Sequence, residues 1–255
     1  MITSALSSGV FVNHLMRGPS TTAIGLGHGH LRVGRYVLSL TPPGSPRMPN
    51  GIECSLVLGR GEEAAIGDGA LRAFDTWLLP GPIWGGHPRV RVLLEASPVQ
   101  QFDVDALIGA GPGLTPQGDD VLIGFVAGRV LFHADVTTAR RILLASAGKT
   151  TALSETLLLH AARGEVPEPA HDLLVTGAAD RLLSFGHSSG KAILLGLALA
   201  CRRTPRASTQ PALEIPLDGV EGIHETVVRI YPVARASNVL VAATIYKPRS
   251  MAGRP

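Results

Sequence analysis

The densest chemistry in this sequence lies in Gly109-Ala-Gly-Pro-Gly-Leu-Thr-Pro-Gln-Gly-Asp-Asp120. Glycines there allow a left-handed backbone and let main-chain amides approach a ligand closely. Thr115 is a natural N-cap and Pro116 suits the first helical position, so a helix is expected to begin here. Unsatisfied N–H groups at a helix start attract anions. Gly111, Gly113, Thr115 and Gly118 are therefore candidate binding residues for a phosphate or carboxylate. Asp119 and Asp120 fall in the first turn, where they are candidate catalytic residues. They could together hold Mg2+, with a substrate phosphate completing its shell. Alternatively, one could act as a general base or orient an amine. The plainer role of first-turn acids is to stabilise the helix dipole. Four glycines, a Thr-Pro pair and two acids in one short segment exceed what a helix start requires.

A second segment, Gly186-His-Ser-Ser-Gly-Lys191, has related character. Ser188 or Ser189 can cap a helix. The functional alternative is a second anion site in which Ser188, Ser189 and Gly190 bind substrate and His187 or Lys191 supplies charge or a proton. The segment is no P-loop, because the first glycine and the spacing of that motif are missing. Gly186-His-Ser-Ser-Gly190 has the letter spacing GxSxG, but a nucleophile elbow needs a strand ahead of its serine and Asp172–Phe185 reads as helical, which disfavours a serine hydrolase. Asn50, in Pro49-Asn-Gly51, is a turn residue that could also reach a ligand amide. Gly27-His-Gly-His30 is a poor zinc site, having no cysteine or acid beside its two histidines. In Thr150-Thr151-Ala-Leu-Ser154, Thr151 or Ser154 caps the helix that follows.

The two motifs echo each other. Thr115–Gly124 can be laid over His187–Gly196, so that each polar turn leads to a glycine (Gly118, Gly190). Six residues later comes another glycine (Gly124, Gly196) inside an apolar helix. Glycine within a helix costs roughly 1 kcal/mol relative to alanine, so close packing must compensate. Two helices crossing at Gly124 and Gly196 would bring their N-termini together.

The elements that position these motifs follow from hydrophobic pattern and punctuation. Leu31–Leu40, Ile52–Leu58 and Arg89–Glu95 read as strands, separated by the Pro/Gly-dense loop Thr41–Gly51. Helical spacing runs through Val121–Phe132, Ala139–Ala147, Ala152–Arg163 and Asp172–Phe185, and Ala192–Ala200 reads as a buried central helix. Arg203–Pro216 reads as a polar connection. Thr226–Val233 and Asn238–Tyr246 return as strands, and Lys247–Pro255 reads as a tail. The expected fold class is α+β. A β-barrel or sandwich-like half spans residues 1–100, and a mostly helical half with a few returning strands spans 101–255. One integrated domain is the alternative to two.

Composition narrows the function. Of 255 residues, 45% are hydrophobic and only 17% charged, the reverse of a disordered chain. Aromatics are 4% and the net charge is +3. With Arg202, Arg203 and Arg206 lacking aromatic neighbours, nucleic acid is not an expected partner. Apolar runs are too short to span a bilayer, so no membrane partner is expected. Two cysteines cannot build a disulfide framework, and Met1–Val12 has no basic leader, so a cytoplasmic location is expected.

At GPGLTPQGDD the sequence resembles the AllH-type family, long described as a domain of unknown function, which includes the AllH subunit of oxamate carbamoyltransferase. Gly111–Asp120 matches its GxGLTPxGDD segment and Gly186–Gly190 its GHxSG segment. Pro49–Gly51 fits a Pro-Asn-Gly turn, and Leu153, Ser154, Ala162 and Gly164 fit an intervening helix. The resemblance runs from about residue 49 to 200. It implies carbamoyl transfer in ureide breakdown, linking an oxalurate-type substrate and phosphate to oxamate and carbamoyl phosphate, in company with other subunits. Members often carry an acid after GHxSG, where this chain has Lys191-Ala192.

The sequence is therefore read as a carbamoyltransferase-like subunit acting on a small carboxylate or acyl phosphate. Partner subunits and an oligomer are expected, and Mg2+ is the one cofactor considered. The alternatives are a stand-alone lyase, cyclase or hydrolase of a carboxylated metabolite, and a non-catalytic ligand-binding or assembly subunit.

Overall fold

The computed structural model describes residues 1–97, 103–201, 212–217 and 226–232. Its N-terminal part contains β1 (Ile2–Ser4), β2 (Ser7–Gly9), α1 (Val10–Arg17), β3 (Thr21–Gly27), β4 (His30–Val33), β5 (Tyr36–Thr41), β6 (Gly51–Glu53), β7 (Glu63–Gly67), β8 (Ala70–Ala73), β9 (Thr76–Leu79) and β10 (Ile83–Trp84). The strands form one curled sheet in the order β1-β9-β8-β7-β3-β4-β5-β6-β2-β10. A single stretch of chain links its two sides, since β1 runs parallel to β9 while β2 runs antiparallel to β6. Between them, the Ala5 and Leu6 amides donate to Leu79 O and Glu53 O at 2.9 and 2.8 Å. Inside the curl, Val12 and Met16 of α1 meet Leu31, Leu38, Ile52, Ile66 and Leu71, all buried.

Several sequence expectations are refined here. Leu31–Leu40 is a hairpin rather than one strand, because Gly34 takes a left-handed φ of 57° and turns the chain. Ile52–Leu58 is a strand only at its start, since β6 ends at Glu53. The helix α1 interrupts what reads as an all-strand region.

The rest of the chain is mostly helical. It contains β11 (Val92–Ser97), α2 (Val104–Leu107), α3 (Gln117–His133), α4 (Val136–Ser146), α5 (Ala152–Ala161), α6 (Glu168–Thr176), α7 (Asp180–Leu183), α8 (Ser189–Ala200), β12 (Leu213–Pro216) and β13 (Val227–Pro232). The architecture is thus mixed α+β, with the curled sheet first and the helices after it. The strand expected at Arg89–Glu95 appears as β11, but it pairs with β13 in a separate small sheet, and Val92 and Leu94 join the helical core. The Asp172–Phe185 helix is split, because Gly177 takes φ 84° and ends α6. Within the polar connection Arg203–Pro216, residues 213–216 form β12 against β13. The expected strand Asn238–Tyr246 and the tail Lys247–Pro255 lie outside the described residues.

The helices α3 and α8 make the densest contact in the molecule, side by side and parallel. They touch at the echoed glycines. A Cβ on Gly124 would stand 2.1 Å from Ile193 O, and one on Gly196 would stand 2.0 Å from Val121 O. One turn further on, a Cβ on Gly128 would meet Ala200 Cβ at 2.5 Å. Each helix thus presents a backbone strip to the other. The main-chain approach supplies the dispersion contact that compensates the poor helix propensity of glycine. Hydrogen bonds tie this core to the curled sheet. The Val37 amide donates to Thr156 Oγ1 at 3.0 Å, and Arg47 grips Glu168 through its amide and guanidinium.

Candidate functional site at three helix starts

Parallel packing of α3 and α8 puts both motif helices at the same end of the core. No side chain caps either one. Thr115 and Ser189, expected as caps, instead hydrogen-bond the carboxyl of Asp120. This bond between the first turns of α3 and α8 joins the two motifs. Pro116 occupies the N-cap position of α3, and Ser188 that of α8.

A third helix start is tied to the same place. Thr151 caps α5 by accepting from the Ser154 amide at 3.0 Å, and its hydroxyl donates to Leu114 O in the glycine turn at 2.6 Å. Asp119 reinforces this tie. Its Oδ1 accepts from the Gly109 amide at 2.9 Å and its Oδ2 from the Thr150 hydroxyl. The glycine turn is therefore held on α5 by Thr150, Thr151 and Asp119, and on α8 through Asp120. Left-handed φ values of 106° and 101° at Gly111 and Gly113 give the turn its shape, and nothing lies within 4 Å of a Cβ built on Gly113.

The adjacent acids have different surroundings. Both are buried. Asp119 has each oxygen engaged by a protein donor, whereas Oδ2 of Asp120 is buried with no partner. Burial raises the Asp120 carboxyl to about 7, and the neighbouring charge of Asp119 adds to the rise. Hydrogen bonds from Ser189 and Thr115 oppose it. An acid in this state can donate a proton or a hydrogen bond near neutral pH.

The paired carboxylates expected to share Mg2+ do not converge. Asp119 turns toward Gly109 and Thr150, and Asp120 toward α8. Among the described residues no group of three or more His, Cys, Asp or Glu side chains gathers as a metal cage. One free carboxylate oxygen is a poor fit to a protein-held divalent ion.

The other expected site residues are placed as follows. Gly118 and Gly190 are packing positions, since a Cβ would strike Leu107 O at 2.1 Å and Leu182 O at 1.6 Å. Ser188 and Lys191 are half-buried at the α8 start, and His187 is exposed in the turn before it. Asn50 is fully buried in the sheet half, where its Nδ2 donates to Val37 O at 2.9 Å and Ser39 Oγ at 3.2 Å while its Oδ1 has no partner. The bonds of Asn50 thus run into the sheet, not to the two motifs.

Sequence reasoning missed the tethering role of Thr150 and Thr151. It also missed the buried hydroxyl of Ser154, which has no hydrogen-bond partner in the first turn of α5. Polar residues just before an apolar helix were the signal, and they read there only as caps. A separate pair, buried His160 Nδ1 and half-buried Glu165 Oε2 at 2.5 Å, sits at the far end of α5 against Phe11. A groove between the β4–β5 hairpin and α4–α5, lined by Arg35, Tyr36, Leu143, Ser146 and Thr156, contains none of the motif residues.

A family model described as "Oxamate carbamoyltransferase subunit AllH" matches residues 107–201, a stretch that runs from the end of α2 through α8 and includes both motifs. The resemblance read from GPGLTPQGDD is borne out over that stretch. No solved structure matches the chain. No helix among the described residues is long and apolar enough to cross a membrane.

Proposed function

We propose that this chain is a carbamoyltransferase-type subunit acting on a small carboxylate or acyl phosphate, and that it works with partner subunits. The reading draws on the family match, whose limits include the glycine turn and the α8 start. The observation that carries it is the buried Asp120 carboxyl between the first turns of α3 and α8, with one oxygen uncommitted. Backbone amides of the exposed turn Gly111–Leu114 and the dipoles of three helix starts favour a negatively charged group there. Fixed dipoles of this kind stabilise developing charge without reorganising. Asp120 orients the substrate or moves a proton to or from it. Asp119 holds the turn and does not touch substrate. Lys191 supplies positive charge at the rim, and His187 stands beside it as a hydrogen-bonding group.

The test is a carbamoyl-transfer assay from carbamoyl phosphate to oxamate, run on the purified chain alone and with its partner subunits. Asp120→Ala is expected to lower turnover by about a hundredfold or more, the scale of losing a positioned acid or base. Unchanged turnover in a folded variant removes Asp120 from the chemistry. Tight oxamate binding without turnover, even with partner subunits present, identifies a non-catalytic binding subunit instead.

A further inference from the structure

A site that gathers three helix starts selects negative charge, yet a buried carboxyl stands in the middle of it. If Asp120 were ionised, it would face an incoming anion across a short, poorly solvated gap, and like charges in such a place repel strongly. The contacts of Asp120 resolve this conflict. The hydroxyls of Thr115 and Ser189 lie at its carboxyl and favour the ionised form, while Oδ2 is buried without a partner. Buried polar atoms in native proteins are almost always partnered, so an orphan of this kind asks for one. A carboxylic O–H at Oδ2 is a donor that an anion can accept. Ser154 adds a second buried hydroxyl without a partner, in the first turn of the third helix.

We infer that the site takes up its ligand together with one proton, held on Oδ2 of Asp120, and that the ligand end met there is a carboxylate rather than an amine or a cation. This rests on the function proposed for the site and specifies which end of the substrate it recognises. The charged and titratable groups on the elements packed around Asp120 are Asp119, Arg129 and His133 on α3, Lys191 on α8 with His187 just before it, Asp105 on α2, Glu155 and His160 on α5, and Arg140 and Arg141 on α4. The charge of Asp119 disfavours ionisation of Asp120. Burial acts in the same direction, so the free protein near neutral pH holds the proton only in part. An arriving carboxylate raises the affinity of Asp120 for that proton further. The sign follows from linkage. Below neutral pH the proton is already present and affinity is flat. Above it, each ligand must bring a proton and binding weakens.

Oxamate is a suitable probe because its carboxylate does not titrate between pH 6 and 9. Calorimetric titration of the full chain, in two buffers of different ionisation enthalpy at pH 7.5, is expected to show uptake of about half to one proton per oxamate. The dissociation constant is expected to rise about tenfold between pH 7.5 and 8.5. Asp120→Asn, whose amide donates without titrating, is expected to bind with neither uptake nor pH dependence. Binding to the wild type without proton uptake, or uptake that persists in Asp120→Asn, overturns the inference and leaves the proposed function in place. Absence of oxamate binding, with or without partner subunits, overturns both. The wild-type uptake decides the matter even if the variant fails to fold.

Discussion

Glycines in the curled sheet and glycines in the α3–α8 pair serve opposite needs. Gly34 and Gly69 have open space where a side chain would project, but they need a left-handed backbone at hairpin turns. Gly124 and Gly196 sit within regular helix, yet each lies against the main chain of the other helix. The first pair is kept for shape and the second for room. A residue that tolerates left-handed φ can replace the first, and nothing with a Cβ can replace the second.

The contrast is broken most directly at Gly196. Gly196→Ala drives a Cβ to 2.0 Å from Val121 O, inside any allowed contact. Thermal or urea unfolding is expected to show a loss of about 3 kcal/mol or more, at the upper end of overpacking costs. A loss under about 1 kcal/mol would mean that the two backbones do not touch at this glycine. Next in size is Asp119→Ala, which strips the partners from the Gly109 amide and the Thr150 hydroxyl. Leaving two half-buried donors unsatisfied is expected to cost about 2 kcal/mol, and amide exchange at Gly109 should quicken. Slow exchange there in the variant would show that Asp119 does not hold the turn. The smallest effect is expected at Gly34. Gly34→Ala should cost about 1 kcal/mol for left-handed backbone, and Gly34→Asn should recover part of it because asparagine visits that region. Gly196→Asn should recover nothing. Equal rescue at both positions would erase the distinction between shape and room.

What the sequence disclosed follows the same division. The six-residue spacing from Gly118 to Gly124 and from Gly190 to Gly196 disclosed a crossing of two helices, because glycine weakens an apolar helix unless a close neighbour needs the space. The glycine turn and its helix were also legible from composition. The hairpin at Gly34 was overlooked, since a continuous apolar run on both sides of one glycine reads as a single strand. Gly177 was passed over for the same reason within Asp172–Phe185. The short helix α1 contains two valines and a phenylalanine, so its propensity alone does not announce it, and its helical state owes more to packing inside the sheet. The separate fates of Asp119 and Asp120 had no local signature. They depend on Thr150, far along the chain, and on Ser189, further still.

The stretch from Ile2 to Gly9 laces the two sides of the curled sheet, and its partners lie well downstream at β6 and β9. During synthesis it leaves the ribosome before either of them; β2 can pair once β6 has emerged, but β1 waits until residue 79 has done so. Closure of the sheet is thus a late, long-distance event, of the slow kind that high contact order imposes. A nascent chain stalled before β9 would expose an open strand edge that chaperones or neighbouring chains could engage.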